Sequence, residues 1–191
     1  MLAPGSDVAG RAAWKLIGFS QPYEWEGDWQ GKAEWVLEQH GSFIKTYPRH
    51  ELVGEALFKM AVATWAKAGY PELYGYIIRP EGWGPAWLTR KDQLEQWFDT
   101  RGFGGGQGEL VAQHPEQTLE ARRVFQDLLR RYPQTQSAAM AKYYIAVISD
   151  YCLQDAKAAL SDYDAFVSQY PSATPYTAKA TQRISFLRRP N

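Results

Sequence analysis

Apolar side chains recur along the chain at helical spacing. Val36, His40, Phe43, Ile44, Tyr47 and Pro48 superpose on Ala121, Phe125, Leu128, Leu129, Tyr132 and Pro133, and again on Ala159, Tyr163, Phe166, Val167, Tyr170 and Pro171. The internal offsets of 4, 3, 1 and 3 residues are the same in all three copies, and they bring these positions onto one face of an α-helix. Each copy therefore predicts an amphipathic helix rather than a strand. The closing Tyr-Pro pair predicts where it stops, because proline disfavours the helical conformation of the residue before it and lacks the N–H that a continuing helix needs. The second and third stops lie 170 − 132 = 38 residues apart, room for a turn, a helix, a second turn and a second helix. That is the period of a helical-hairpin solenoid.

The residues after each stop repeat as well. Ala141, Tyr143 and Ala146 follow Tyr132 at the offsets at which Ala56, Phe58 and Ala61 follow Tyr47. A helix from about Ser137 to Cys152 carries one apolar stripe of Ala138, Ala141, Ile145, Ile148 and Cys152, and a second of Met140, Tyr144, Val147 and Tyr151. Two stripes predict packing on both sides, as an interior member of a stack requires. Between the first and second stops lie 132 − 47 = 85 residues, more than one period. The excess begins with an aromatic loop rich in proline and glycine, residues 70–87. A helix is expected next, with Thr89 as N-cap, Leu94, Trp97 and Phe98 as its buried positions and Gly102 as its stop. Residues 102–108 then read as a glycine linker. A degenerate repeat, a structural plug and a binding site are all compatible with this region. The expected organisation is an N-terminal helix and loop at 1–28, a first hairpin at 29–69, the insertion with its one helix at 70–115, and C-terminal repeats at 116–191.

The small, aromatic and proline positions formed by Ala121, Phe125 and Pro133, and by Ala159, Tyr163 and Pro171, resemble the second helix of tetratricopeptide repeats, with Leu128 and Phe166 standing where that repeat usually has alanine. The wording around Phe125–Ala146 and Tyr163–Pro171 is most similar to the branch of that family found in bacterial envelope proteins, of the outer-membrane assembly lipoprotein and periplasmic cell-division coordinator type. The resemblance is clear over 116–187 and looser over 29–67. It implies a fold and an interaction role, and it brings no catalytic residue.

Composition narrows the function classes. The 191 residues are 45% hydrophobic and 22% charged, enough apolar content for a core. Lys plus Arg and Asp plus Glu both number 21, so the basic footprint of a general nucleic-acid binder is missing and nucleic acid is not an expected partner. The single Cys152 rules out an internal disulfide framework and reads as a packed small hydrophobe. No apolar run has the length of a membrane span, so no transmembrane segment is expected. The first residues carry no signal-peptide pattern. A leader could have been removed, which leaves a periplasmic or envelope location open beside a cytoplasmic one.

Chemistry-bearing residues are few. The glycine run lacks a following Lys-Ser/Thr and places Gln107 where a dinucleotide fingerprint needs its last glycine, so no nucleotide or other cofactor is expected. His40 occupies the core position held by Phe125 and Tyr163 and reads as structural, while His50 and His114 fall in turns where exposure or capping accounts for them. Their spacing fits no metal motif, and no metal site is expected. Glu24, Glu26, Asp28, Glu34 and Glu38 are interleaved with Trp25, Trp29 and Trp35. They read as a solvated helix face with Trp29 in the core rather than as a sugar site. Lys179, Arg183, Arg188 and Arg189 give the other end a basic sign suited to a solvated tail or to steering.

The expectation is thus an all-α, TPR-like helical-hairpin solenoid of about seven or eight helices with an aromatic-rich inserted loop. Its expected role is a non-enzymatic scaffold holding a protein or peptide partner, with a second copy of the chain kept open as a partner. The candidate contact residues are Tyr74, Tyr76, Trp83 and Trp87 in the loop, where rigid aromatics offer area at low entropy cost. Lys142, Tyr143 and Asp150 join them, on a helical strip outside both apolar stripes. No catalytic residue is assigned. The alternative is an envelope protein that binds or processes glycan with its Trp-rich segments.

Overall fold

The computed structural model describes residues 6–20, 29–68, 115–173 and 176–189. Within them lie seven α-helices and no strand: α1 (Asp7–Phe19), α2 (Trp29–Thr46), α3 (Val53–Lys67), α4 (Pro115–Arg131), α5 (Gln136–Val147), α6 (Ala156–Gln169) and α7 (Tyr176–Leu187). The three predicted copies are the C-terminal parts of α2, α4 and α6 with the stops that follow. Burial repeats with the sequence: Val36, His40 and Phe43, then Ala121, Phe125 and Leu128, then Ala159, Tyr163 and Phe166 are all buried. The fourth and fifth members of each set are half-buried. Helix starts carry the expected caps, since Ser6, Thr135 and Asp155 accept hydrogen bonds from the backbone N–H groups of Ala9, Ala138 and Ala158.

Each helix packs on the one before and the one after it in sequence. The core runs continuously through the stack, and its centre is aromatic. Tyr144 of α5 meets Phe58 and Trp65 of α3 and Phe125 of α4, with ring centroids 6.1, 5.9 and 6.3 Å away. The buried alanines of α3 and α5 let the backbones approach. Helices α3 and α4 are direct packing partners although residues 68–114 separate them in sequence, so the long interval between the first two stops does not interrupt the stack. The expected loop, its helix after Thr89 and the glycine linker lie outside the described residues, as do His114 and the Trp29 side chain.

The Tyr-Pro stops do more than end helices. The Tyr132 hydroxyl donates to the carbonyl of Pro48 at 3.3 Å, and the Tyr170 hydroxyl donates to the carbonyl of Pro133 at 2.9 Å. Successive stops are thereby tied edge to edge into a ladder along one side of the stack. One departure from the expected geometry matters for the site below. The helix predicted to run to Cys152 is α-helical only to Val147 and continues as a π-helical turn, Ile148–Cys152, with Leu153 N–H donating to Ile148 C=O at 2.9 Å. The wider turn accommodates an extra residue and rotates the side chains that follow. Gln154, at φ 52°, then lets the chain reverse into α6 within three residues.

Candidate interaction surface

At the N-terminal end, α1 is held by two histidines and a tryptophan. His40 is buried, and its Nδ1–H donates to the Val36 carbonyl at 2.9 Å. Its ring meets Trp14 of α1 edge-on at 5.3 Å, while Lys59 Nζ lies 4.7 Å from the Trp14 ring centroid. Burial, reinforced by the Lys59 charge, lowers the His40 pKa to about 4, so the ring is neutral at pH 7. The structural role expected for His40 agrees with these contacts.

Of the two expectations for His50, exposure and capping, the structure shows capping of a buried ring. Its Nδ1 accepts from Leu52 N–H at 3.1 Å, and its Nε2–H points to the Asp7 carbonyl at 3.2 Å, so it caps and bridges inside the fold. Gly10 makes this approach feasible, because a Cβ there would lie 2.3 Å from His50 Cδ2. Neither histidine is arranged as a ligand. Among the described residues no group of three His, Cys, Asp or Glu side chains is placed to hold a metal ion.

At the other end, the structure removes Asp150 from the expected contact strip. Asp150 is buried and accepts two hydrogen bonds from Arg183 of α7, Nε to Oδ2 at 2.5 Å and Nη2 to Oδ1 at 2.7 Å. The strip itself faces α6 and α7: Tyr143, two helical turns earlier and ahead of the π-helical turn, packs on the same Tyr163 that donates to Asp150. Burial opposes the Arg183 charge, but the hydrogen bonds and field of Asp150 outweigh it, and the pKa rises. The guanidinium also lies over Tyr151 at 4.8 Å and Phe186 at 4.6 Å. Burial, then neighbouring Tyr143 and Asp150, push the Tyr163 hydroxyl well above its usual range, so it stays protonated and donates to Asp150 Oδ2 at 3.3 Å.

Tyr143 is half-buried, its ring packed against Tyr163, Phe166 and Tyr176, the last at 5.0 Å, so it joins the seam between α5, α6 and α7. Lys142 is half-buried like Tyr143. The basic end is also less open than its sequence suggests: Arg183 is internal, and both Asp164 carboxylate oxygens accept from Arg188. Lys179 lies on α7 and Arg189 just after it, 5.9 Å from the Phe186 ring. Glu34 and Glu38 lie exposed on α2, as a solvated face requires, and Glu34 pairs with Lys67 at 3.1 Å. Tyr74, Tyr76, Trp83 and Trp87 lie outside the described residues, as do Glu24, Trp25, Glu26 and Asp28. Cys152 is buried, consistent with its reading as a packing residue. No helix among the described residues is long and apolar enough to cross a membrane.

Sequence reasoning missed the Asp150–Arg183 pair, although one signal was present. Tyr176, Ala180, Arg183, Ile184 and Leu187 repeat the 4, 3, 1, 3 offsets of the three copies, which places Arg183 on the inward face of α7. An arginine there demands a buried counter-charge. No protein-family model matches the chain, and no curated protein or solved structure matches it either.

Proposed function

We propose that this chain is a non-enzymatic interaction scaffold that presents stacked, TPR-like helical hairpins to a peptide or a helix of a partner protein. The Tyr-Pro ladder carries the reading. It ties successive hairpins together at their turns, and a surface held rigid before the partner arrives spares the entropy of ordering it on binding. The buried polar groups support the same role, because His40, Asp150 and Arg183 each join two helices rather than converging on an open cleft. The resemblance of the three helix endings to tetratricopeptide repeats adds to this, and contact through Lys142 and the exposed edge of Phe186 fits it. The aromatic residues Tyr74, Tyr76, Trp83 and Trp87 remain candidates for the same surface.

Site-specific photo-crosslinking at Lys142 in the native host tests the proposal, run beside glycan pull-downs with the intact chain and with Trp83→Ala/Trp87→Ala. A discrete protein adduct at Lys142, with no retention on glycan, is the expected result. Retention on glycan that vanishes with the two tryptophans, together with no adduct, would replace the scaffold reading with carbohydrate binding.

A further inference from the structure

No described side chain of α1 is fully buried, whereas each of α2 to α7 buries at least three. Ala13, Trp14 and Ile17 are half-buried on its inner face, and Val8 and Leu16 are exposed. A helix with so little buried apolar surface opens locally at a lower free energy than the whole fold. Its polar ties lie at its first turns. Asp7 meets His50, and Arg11 Nη2 lies 2.7 Å from Glu51 with both side chains 58% exposed, a rim contact of small weight.

This lightly held helix covers a buried titratable ring. From α1, His40 meets the Trp14 indole, which also packs on Phe43 at 5.2 Å. From α3 it feels the Lys59 charge, itself 3.9 Å from Glu55. Its Nδ1–H donates to the Val36 carbonyl of its own helix, a bond that does not depend on α1. Among the described residues no carboxylate pairs with it. A proton on His40 beneath α1 would therefore be buried beside a like charge with no counter-charge, whereas lifting α1 admits water to solvate it.

We propose that α1 is an acid-released cover: protonation of His40 lifts α1 from α2 while α2 to α7 stay packed. The rest of the stack does not need α1, since its aromatic centre joins α3, α4 and α5 through Phe58, Trp65, Phe125 and Tyr144. The open state carries a solvated His40 with an ordinary pKa of 6.5, and the closed state one of about 4. The ratio of open to closed α1 then rises roughly 20-fold between pH 7 and pH 5. The cover is independent of the scaffold reading.

Native-state hydrogen exchange of the full chain tests it from pH 7 to pH 5, each rate divided by its intrinsic rate at that pH. The hydrogen-bonded amides of α1 should accelerate roughly 20-fold. Their exchange should be insensitive to low urea, because lifting one helix exposes little surface, while α4 and α6 exchange more slowly and with strong urea dependence. His40→Phe should abolish the acceleration in α1, and His50→Gln should keep it. Lys59→Met should shrink it, because His40 freed of the like charge titrates higher in the closed state. The cover is overturned if α1 exchanges together with α4 and α6 at every pH and urea concentration, or if the acceleration survives in His40→Phe. Should His40→Phe fail to fold, an acceleration in Lys59→Met as large as the parent's overturns it.

Discussion

His40 on α2 and Tyr163 on α6 occupy the same position of the repeated helix ending, are both buried, and live in opposite electrostatic settings. His40 faces Trp14 and the Lys59 charge, has no carboxylate partner among the described residues, and is kept neutral. Tyr163 sits beside Asp150, which answers the buried charge of Arg183. Between them Phe125 fills the position with hydrocarbon alone. Packing is therefore uniform along the stack, and electrostatics is not. One geometric slot sets the volume, and the adjacent helix, α1 at one end and α7 at the other, decides which polar group can be tolerated there.

The middle copy should break hardest. Phe125→Ala removes a fully buried ring at the junction of α3, α4 and α5, and a large-to-small change of that kind costs about 3–5 kcal/mol. Urea unfolding measures it, and a loss below about 1 kcal/mol would contradict the packing. The third copy should break almost as hard through charge. Arg183→Met leaves Asp150 buried without its counter-charge, which costs roughly 3 kcal/mol or more, whereas Asp150→Leu combined with Arg183→Met should recover most of that loss. A double change as damaging as the single one would mean that the pair acts through shape rather than charge.

The apolar skeleton was legible because one rule generates it. Identical offsets ending in Tyr-Pro mark the inward face and the end of α2, α4 and α6, and three copies in one chain supply their own comparison. The surface was less legible, since it depends on geometry that periodicity does not encode. Asp150 reads as a strip residue facing outward and becomes internal because α6 and α7 pack over that strip, bringing Tyr163 and Arg183 to it. His50 reads as a turn residue, and only the arrival of α1, with Gly10 leaving room for its ring, buries it. The Tyr-Pro rungs were out of reach for a related reason. The sequence explains proline as a helix stop, while its carbonyl finds the tyrosine of the neighbouring stop only once the helices pack.

The pH dependence of stability in the full chain and in His40→Phe tests the contrast between the two ends most directly. The His40 pKa of about 4 in the fold lies below its ordinary value of 6.5, so the unfolded chain binds the proton first as the solution is acidified. Stability from this residue is complete above pH 6.5 and falls as the pH drops toward 4, by about 2 kcal/mol at pH 5 and about 3 kcal/mol once the folded form also titrates. Phenylalanine at position 40 should match or exceed the parent melting temperature at neutral pH. The stability difference between the two chains should then widen by those amounts on acidification. Parallel pH profiles, or a variant markedly less stable at pH 7, would contradict the account by showing that His40 is not held neutral in a slot shaped like those of Phe125 and Tyr163.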